Sequence, residues 1–539
     1  MKRHTLNSLI LACVALSGAY ILSSCTPMLQ EEHETSYTTS YVTSDADGLK
    51  LMTAALYPYE RNTFATGYAN NELMNLLNRY GDIVCNATGS GEQVGLYNPS
   101  QFKPSQQMIK GMWSYLYGVI GRCNEIVSAA ESLDTMDDEL KQCVGEAKLF
   151  RAKMIFNAYR IWHNILLNTT VIDYTNVDGG IEYRPATEDE VFAQLYKDVN
   201  DGIEALDWLS YQPGRWNKAA GLHLKAKIAM EQGDYALALE CVDAIENSHQ
   251  YALIDNVHDV FLKSDNLNHS EGLLVQQWSM EVGGNLSNTT PQGNNFNRWY
   301  TTQYRNLMGG ADDVCSYENG CKGAGCILAN YYLLSLYDHE KDQRYTDWFI
   351  LKIKNTTDHD VTVEGVVTHP GEYFQSEMNG KDQKLQVQPG SRKYLDVWNV
   401  LPYESNNYKD MLIYRLAETY IIGAEAALRE GDMAKALFYY NKTWTRAGND
   451  EITGSITLDD IIDEQARELC FEQGERYFFL KRLGIYEERY IAHAGEEGVR
   501  SSTDGRANLQ ANPHFLTWPI PETEILAMGA ENFPQNPGY

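Results

Sequence analysis

The sequence predicts a mainly α-helical protein in which tetratricopeptide-like helical hairpins carry a loop-rich face with a few short strands. Apolar residues recur at spacings of three and four over residues 107–133 and 136–167, which predicts two long amphipathic helices. Two later segments share one hairpin pattern. Between residues 248 and 409, Gly, Asn, Asp and Thr become frequent and predict long loops. Together these features indicate one large domain over residues 45–539.

The chain begins with a pattern typical of an exported lipoprotein. A short basic start is followed by an apolar run over residues 9–22 and by small residues that lead into Cys25. The run is shorter than the roughly 20 residues needed to cross a hydrocarbon core, so residues 1–24 are interpreted as a signal peptide. Cys25 then becomes the lipidated first residue, and the polar residues 25–44 form a flexible tether. The alternative is an ordinary secretory signal with an incidental cysteine.

The two long helical segments are expected to pair as an antiparallel hairpin. Trp113 is assigned to its core because it lies at helical spacing from Leu116 and Tyr117.

The pattern shared by the two later segments is a Gly-Asp pair seven residues after an alanine. It occurs at Gly233-Asp234 and again at Gly431-Asp432. Glycine permits a left-handed backbone at the turn, and aspartate can cap the helix that follows. The predicted helical hairpins cover residues 107–247 and 410–447. Generic hairpins without a shared repeat geometry are the alternative.

The loop-rich insertion, residues 248–409, is expected to carry the ligand. Alternating β-branched residues at 361–367 predict short strands within it, and its aromatic residues set it apart from disordered segments. Residues 513–539 contain Trp518-Pro519-Ile520-Pro521, and the prolines predict an extended or turned tail that lies against the helices.

Composition excludes some function classes. The formal net charge of −29 becomes −31 when the signal peptide with its two basic residues is removed, and such a surface repels nucleic acid. Neutral ligands remain. The 36 tyrosines outnumber the 15 phenylalanines, and tyrosine suits half-wet surfaces and sugar rings because it joins a flat apolar face to a polar tip.

No catalytic motif is present. The sequence has no Gly-x-Ser-x-Gly elbow, no phosphate-binding loop and no His-Glu-x-x-His. Glu472 and Glu475 are interpreted as members of structural ion pairs rather than as catalytic acids. Their expected partners are Arg467, Arg476 and Arg482. We therefore expect no enzyme and no cofactor, and calcium is left open without a motif that supports it.

Three cysteines cluster at Cys315, Cys321 and Cys326. The gaps between them lack the short paired spacings of zinc sites. In an exported protein we expect a disulfide from Cys315 to Cys321 or to Cys326, with Cys85 as a further partner for the third thiol. Metal binding is the alternative.

Candidate ligand contacts are aromatic and amide-bearing residues in the predicted loops, because a sugar stacks on aromatic faces and hydrogen-bonds to amides, carboxylates and guanidinium groups. The candidates are Tyr68, Asn70, Asp82, Tyr97 and Asn98 before residue 107, and Trp278, Asn297, Arg298, Trp299, Tyr300 and Tyr304 in the insertion. Trp299 and Tyr300 are favoured because Asn and Arg surround them.

Several motifs, taken in their order along the chain, resemble those of the SusD/RagB-like nutrient-binding outer-membrane lipoproteins. The carriers are the lipoprotein start, Trp113-x-x-Leu116-Tyr117 with Arg122-x-Asn124, Arg151-Ala152 running into Ala158-Tyr159, the paired Gly-Asp turns, Tyr414-Arg415-Leu416-Ala417-Glu418, Arg467-Glu468-Leu469-x-Phe471-Glu472, and the Trp-Pro-Ile-Pro tail. The chain departs from the pattern at Cys470, where alanine is commoner, and at Trp162-His163-Asn164.

The resemblance implies a helical fold with a loop-rich ligand face. It also implies a surface-exposed outer-membrane location and a partner, a SusC-like TonB-dependent channel to which the protein delivers glycan. Capture of a peptide or glycoprotein on the same scaffold is one alternative. A helical-repeat assembly lipoprotein without a small ligand is another.

Overall fold

Helices make up most of the regular structure of the protein. The computed structural model describes residues 43, 45–65, 77–86, 102–172, 182–281, 293–363, 365–374, 384–494 and 516–539. The helices are α1 (Ala46–Ala65), α2 (Gln107–Glu131), α3 (Asp138–Trp162), α4 (Glu188–Ala205), α5 (Lys218–Gln232), α6 (Tyr235–Ser248), α7 (Val257–Leu262), α8 (Phe296–Tyr300), α9 (Tyr331–Ser335), α10 (Gln343–Asp347), α11 (Lys384–Val387), α12 (Leu416–Arg429), α13 (Met433–Arg446), α14 (Leu458–Leu469), α15 (Glu475–Arg482), α16 (Tyr486–Ala494) and α17 (Glu522–Met528). Among the described residues, no helix combines the length and apolar character needed to cross a membrane.

Short antiparallel strands lie in the insertion and connect it to the segments around it. They are β1 (Val84–Asn86), β2 (Gly272–Gln276), β3 (Ile327–Ala329), β4 (Phe349–Ile350), β5 (Val361–Val363), β6 (Val366–Thr368), β7 (Gly390–Ser391) and β8 (Met411–Arg415). They pair as β1–β3, β2–β8, β4–β7 and β5–β6. The β5–β6 pair confirms the strands predicted at residues 361–367. The β2–β8 pair fastens the beginning of the insertion to the segment that leads into α12.

The first two long helices confirm the predicted hairpin. α2 and α3 pack against each other, and α1 and α4 cover further faces of α3. Asp137 begins α3, because its carboxylate accepts a hydrogen bond from the backbone N–H of Leu140. Trp113 is 3 % exposed and stacks on Tyr117 with ring centroids 4.5 Å apart, which confirms its place in the core.

The two Gly-Asp segments form the predicted pair of hairpins. Gly233 and Gly431 have φ of 85° and 78°, a left-handed conformation that suits glycine. Asp234 and Asp432 then cap α6 and α13 by accepting backbone N–H groups at 3.0 Å. The hairpins α5–α6 and α12–α13 contact each other through α12, where Ala426 joins a small apolar cluster. Alanines at this contact allow the helices to approach closely.

A network of buried ion pairs joins the insertion to the last helices. Arg344 pairs with Asp342, Glu464 and Glu468 at 2.6–2.7 Å. Glu468 also pairs with Arg415 at 2.7 Å and with Arg446. Burial by itself would raise the pKa of Glu468, but the three guanidinium groups hold that pKa well below its usual range.

Glu472 and Glu475 take part in structural ion pairs, as expected, but their predicted partners were wrong. Glu472 pairs with Arg415 at 2.7 Å and with Lys393 at 2.6 Å. Glu475 pairs with Arg160 at 2.9 Å and with Lys227 at 3.0 Å. The predicted partners bind other carboxylates instead: Arg467 pairs with Glu464, Arg476 with Asp82 and Arg482 with Glu425. Both glutamates pair with residues distant in sequence: Glu475 with side chains of α3 and α5, and Glu472 with the end of β8 and the loop after β7.

The C-terminal tail lies against the helices, as predicted, although it is not extended throughout because it contains α17. Trp518 is fully buried, and its backbone N–H donates to the carbonyl of Ile161 at 2.9 Å. The side-chain amide of Asn536 donates to the carbonyls of Trp162 and Trp518, each at 2.7 Å. The tail thereby closes the end of the α2–α3 hairpin.

Candidate ligand-binding face

The exposed aromatic side chains concentrate in the insertion. Of the seven exposed aromatic residues in the described part of the chain, five lie there: Tyr317, Tyr331, Tyr373, Trp398 and Tyr403. Single exposed rings are common, whereas exposed apolar groups that lie together mark interaction sites, so the concentration of rings makes the insertion the candidate binding surface.

Three of these rings belong to one structural unit, which we call the aromatic shelf: Tyr317, Trp398 and Tyr403. The Tyr317 hydroxyl donates to the carbonyl of Val400 at 2.8 Å, and this bond fixes Tyr317 beside the segment that carries the other two rings. Burial raises the pKa of Tyr317, and nearby Cys321, Asp396 and Glu404 raise it further. The shelf side chains are 37 %, 40 % and 47 % exposed in chain order.

The loop that carries Trp398 and Tyr403 is held by one buried carboxylate. Asp396 accepts backbone N–H groups of Trp398 at 3.2 Å and of Tyr408 at 2.8 Å, so it binds both limbs of the loop. At the tip, the Glu404 carboxylate accepts the N–H of Leu401 at 2.7 Å. Because these hydrogen bonds already hold the loop in one conformation, the loop loses little conformational entropy when a ligand binds to its rings.

Lys409 supports the shelf from the interior. Its ammonium nitrogen lies 5.6 Å from the Trp398 ring centroid and donates to the carbonyls of Lys393 and Leu395 at 2.9 and 3.2 Å, and also to that of Phe261. Burial lowers the pKa of Lys409 to about 7, while the surrounding aspartates act in the opposite direction. The cation thus anchors the base of the loop to two other segments.

A polar edge lies next to the shelf. The Tyr373 hydroxyl donates to the Glu318 carboxylate at 2.6 Å, and Lys354 pairs with the same carboxylate at 3.1 Å. Glu318 follows the shelf residue Tyr317 directly in the chain. The face therefore combines flat apolar rings with acceptors and donors, which suits a ligand that has both apolar C–H faces and many hydroxyl groups.

The structure corrects the placement of Asp82, Tyr300 and Tyr304, because all three are fully buried. Asp82 pairs with Arg476 at 2.7 Å. Tyr300 stacks on Tyr394 with centroids 4.9 Å apart. The Tyr304 hydroxyl accepts the backbone N–H of Ser316 at 3.1 Å. All three side chains make contacts inside the protein, and none of them is accessible to a ligand.

The other candidates in the insertion divide into two groups. Asn297 and Trp278 are also buried: the Asn297 amide donates to the carbonyl of Gly320 at 3.1 Å, and Arg61 lies 5.8 Å from the Trp278 ring. Arg298 and Trp299 are half-buried, with Trp299 packed edge-on against Phe296. Only these last two remain open to ligand contact. Four further candidates and the lipidation site lie outside the described residues: Tyr68, Asn70, Tyr97, Asn98 and Cys25.

Sequence reasoning missed the shelf because its segment looks like a buried strand. Val397, Val400 and Leu401 surround the rings with aliphatic residues, a composition typical of cores. The available signal was Pro402, which indicates a turn at Tyr403 and argues against a buried strand over this segment.

The cysteine cluster does not form the expected disulfide. Cys315 and Cys321 are free thiols. Backbone hydrogen bonds hold this loop instead: the N–H of Gly325 donates to the carbonyl of Thr301 at 2.7 Å, and the N–H of Cys326 donates to that of Trp299 at 2.8 Å. The described residues contain no group of three His, Cys, Asp or Glu side chains that could hold a metal ion.

Comparisons with known proteins place this fold among related ones. A family model described as "SusD family" matches residues 276–539, and one described as "Starch-binding associating with outer membrane" matches residues 37–230. The chain is 24 % identical to a "SusD-like protein" of Bacteroides ovatus over 511 residues, covering 83 % of this chain and 86 % of the relative.

One further relative and one solved structure have a ligand in their names. The chain is 22 % identical to the "Starch-binding protein SusD" of Bacteroides thetaiotaomicron over 393 residues, covering 64 % of this chain and 65 % of the relative. The solved structure of surface glycan-binding protein A from the same species, in complex with laminarihexaose, is similar with a TM-score of 0.66 and 19 % identity. The similarity covers 91 % of this chain and 99 % of that one. At this level of identity the comparison shows a shared fold.

Proposed function

Because the chain belongs to the SusD/RagB family, we propose that it is a surface lipoprotein of the outer membrane that binds glycans and delivers them to a SusC-like TonB-dependent channel. The observation that carries the glycan part is the aromatic shelf, in which a pre-formed loop carries two exposed rings and a hydrogen bond fixes Tyr317 beside them. A relative named for binding starch, and a glycan-binding protein of the same fold solved in complex with laminarihexaose, support the same ligand class. Binding is the whole activity proposed, and no catalytic step is part of it.

Weak binding is sufficient for this role. Each stacked ring contributes on the order of 1 kcal/mol, so a three-ring shelf holds an oligosaccharide loosely. A lipid anchor keeps the protein in the same membrane as its channel, and this raises the effective concentration of captured glycan at the pore. The strongly acidic chain leaves neutral polysaccharides as the preferred ligands, because anionic polymers are repelled over the surface as a whole.

We expect replacement of Trp398 by alanine to weaken polysaccharide binding at least about fivefold, since it removes one stacked ring of the shelf. Affinity gel electrophoresis against a panel that includes starch and laminarin measures the effect. Phe438→Ala is the matched control, because Phe438 is an aromatic residue of comparable exposure, 48 %, on α13 outside the insertion. A panel in which no polysaccharide retards the wild-type protein would contradict the proposal, and retardation unchanged by Trp398→Ala would contradict the shelf as its site.

The anchor and the channel are tested together. We expect Cys25→Ala to move the protein from the membrane fraction to the soluble fraction, because no acyl chains then hold it. Wild-type protein extracted from outer membranes in mild detergent should copurify with a large β-barrel protein. Retention of the Cys25→Ala variant in the membrane would contradict the lipid anchor, and purification of the wild-type protein without a barrel would contradict delivery to a channel.

A further inference from the structure

A polar cavity of about 270 Å³ lies between α1, the loop at residues 212–215 and the strands β2 and β8. One water needs only about 10–15 Å³ by this measure, so the cavity has space for a ligand much larger than water. Leu274 and Ile413 form an apolar part of its wall, and Glu60, Arg61, Arg215 and Gln276 supply polar groups. None of these residues belongs to the aromatic shelf.

Gln276 is a buried side chain without a hydrogen-bond partner. It is 6 % exposed, yet neither its Oε1 nor its Nε2 is hydrogen-bonded to any part of the chain that the structure describes. Buried amides are nearly always paired, and an unpaired one carries a desolvation penalty. The amide lies on the cavity wall and offers one acceptor and two donor hydrogens, the combination that a hydroxyl-bearing ligand satisfies.

Arg61 supplies a charge that nothing described on the wall neutralises. Its Nη1 donates to the carbonyl of Gln277 at 3.2 Å, while its Nε is buried without a partner. Burial lowers the pKa of Arg61. Among the described residues no carboxylate pairs with Arg61, whereas the other charges of the wall are paired. Those pairs are Glu60 with Lys153 and Arg215 with Glu146.

The cavity therefore combines one excess positive charge, a free amide and an apolar wall. A small inorganic anion would satisfy the guanidinium group but would leave the amide donors and acceptor and most of the volume unused. A neutral sugar would satisfy the amide but would leave the charge unpaired. A sugar acid meets all three demands, because it has a carboxylate, several hydroxyl groups and a face of C–H groups.

We propose that this cavity binds one carboxylated sugar residue, with its carboxylate on Arg61 and a hydroxyl group on the Gln276 amide. The residue is a hexuronic acid, either free or at the end of a glycan chain. The site extends the ligand range of the protein beyond the neutral polysaccharides proposed for the shelf. Its local positive charge also selects an acid that the overall acidic surface disfavours, so binding should be specific to this cavity.

Isothermal titration with galacturonate and with galactose tests the assignment, since the two sugars differ only in the acid group at C6. We expect galacturonate to bind the wild-type protein at least tenfold more tightly than galactose. We expect Arg61→Gln to weaken galacturonate binding at least tenfold, because a charge-assisted hydrogen bond is lost. Gln276→Leu should weaken it as well and carries the test if the Arg61 variant does not fold, which circular dichroism decides. Phe438→Ala serves as the surface control.

Equal affinity for the two sugars, or galacturonate binding that both cavity variants retain, would overturn the proposal. A digalacturonate that binds as tightly as the monomer identifies a chain end as the natural source, and a digalacturonate that is excluded identifies the free acid. A wild-type protein that is retarded by neutral polysaccharide but does not bind galacturonate refutes this inference alone. The reverse result refutes only the glycan-binding shelf.

Discussion

Replacement of Arg415 by methionine is expected to lower the free energy of unfolding by about 3–5 kcal/mol. Arg415 is 2 % exposed and pairs with Glu271 at 2.9 Å and with Glu468 and Glu472 at 2.7 Å. Methionine fills a similar volume but leaves three buried carboxylates short of one positive charge. The loss of stability comes from those uncompensated carboxylates. The ion pairs themselves contribute little, because their attraction only slightly exceeds the free energy needed to desolvate the charges.

Arg415 joins several elements of the fold, so its replacement affects all of them together. It ends β8 and precedes α12, whereas Glu271 precedes β2 and Glu468 lies in α14. One guanidinium group therefore ties the insertion to two of the helices behind it. Separation of any of these elements would expose the same charges, so we expect the variant to unfold at lower urea concentration.

Urea unfolding followed by circular dichroism measures the effect. Arg184→Met is the matched control, because Arg184 pairs with Glu190 at 2.6 Å while 40 % of its side chain is exposed. Solvent screens such a pair, and we expect no measurable change in stability. An Arg415→Met protein as stable as the control would show that the buried network does not support the fold.

Replacement of Trp518 by alanine is expected to lower the free energy of unfolding by about 3–5 kcal/mol. Its indole ring lies edge-on to Phe102 with centroids 5.4 Å apart and 6.1 Å from the rings of Tyr80 and Trp162. Alanine would leave a cavity between the tail and the α2–α3 hairpin. Since these neighbours come from separate parts of the chain, the cavity cannot close without moving several elements.

Thermal unfolding measures the effect, and Leu526→Ala is the control. The comparison distinguishes lost packing at Trp518 from a general effect of substitutions in the tail. Leu526 lies in α17, eight residues after Trp518, but it is 75 % exposed. We expect its replacement to leave the melting temperature nearly unchanged. Equal shifts for the two variants would mean that the tail is not packed as the structure shows.

The helical hairpins were predictable because their signals act over a few residues. A glycine with positive φ ends one helix at Gly233 or Gly431, and the next residue caps the following helix through a backbone N–H three positions away. Such contacts need no knowledge of the rest of the chain. The alternation that predicts β5 and β6 is local in the same way.

The ligand candidates show where local reasoning fails. Tyr300 lies among Asn and Arg residues in the sequence, yet it is fully buried because Tyr394 stacks on it and Asn78 donates to its hydroxyl at 2.8 Å. Trp398 lies among aliphatic residues, yet it is exposed because its loop turns outward around Asp396. Whether a residue is buried depends on partners far away in the chain. These partners cannot be identified from the residues next to it in the sequence.

By itself the sequence determined the helical class, the two capped hairpins and the family resemblance, because helix periodicity and turn chemistry are written in neighbouring residues. Only the tertiary structure decided which aromatic rings face solvent, which carboxylate neutralises each buried arginine, and that Cys315 and Cys321 are free thiols. These outcomes depend on contacts between segments far apart in the chain. Each side chain has many potential partners of the right chemistry, and packing selects among them.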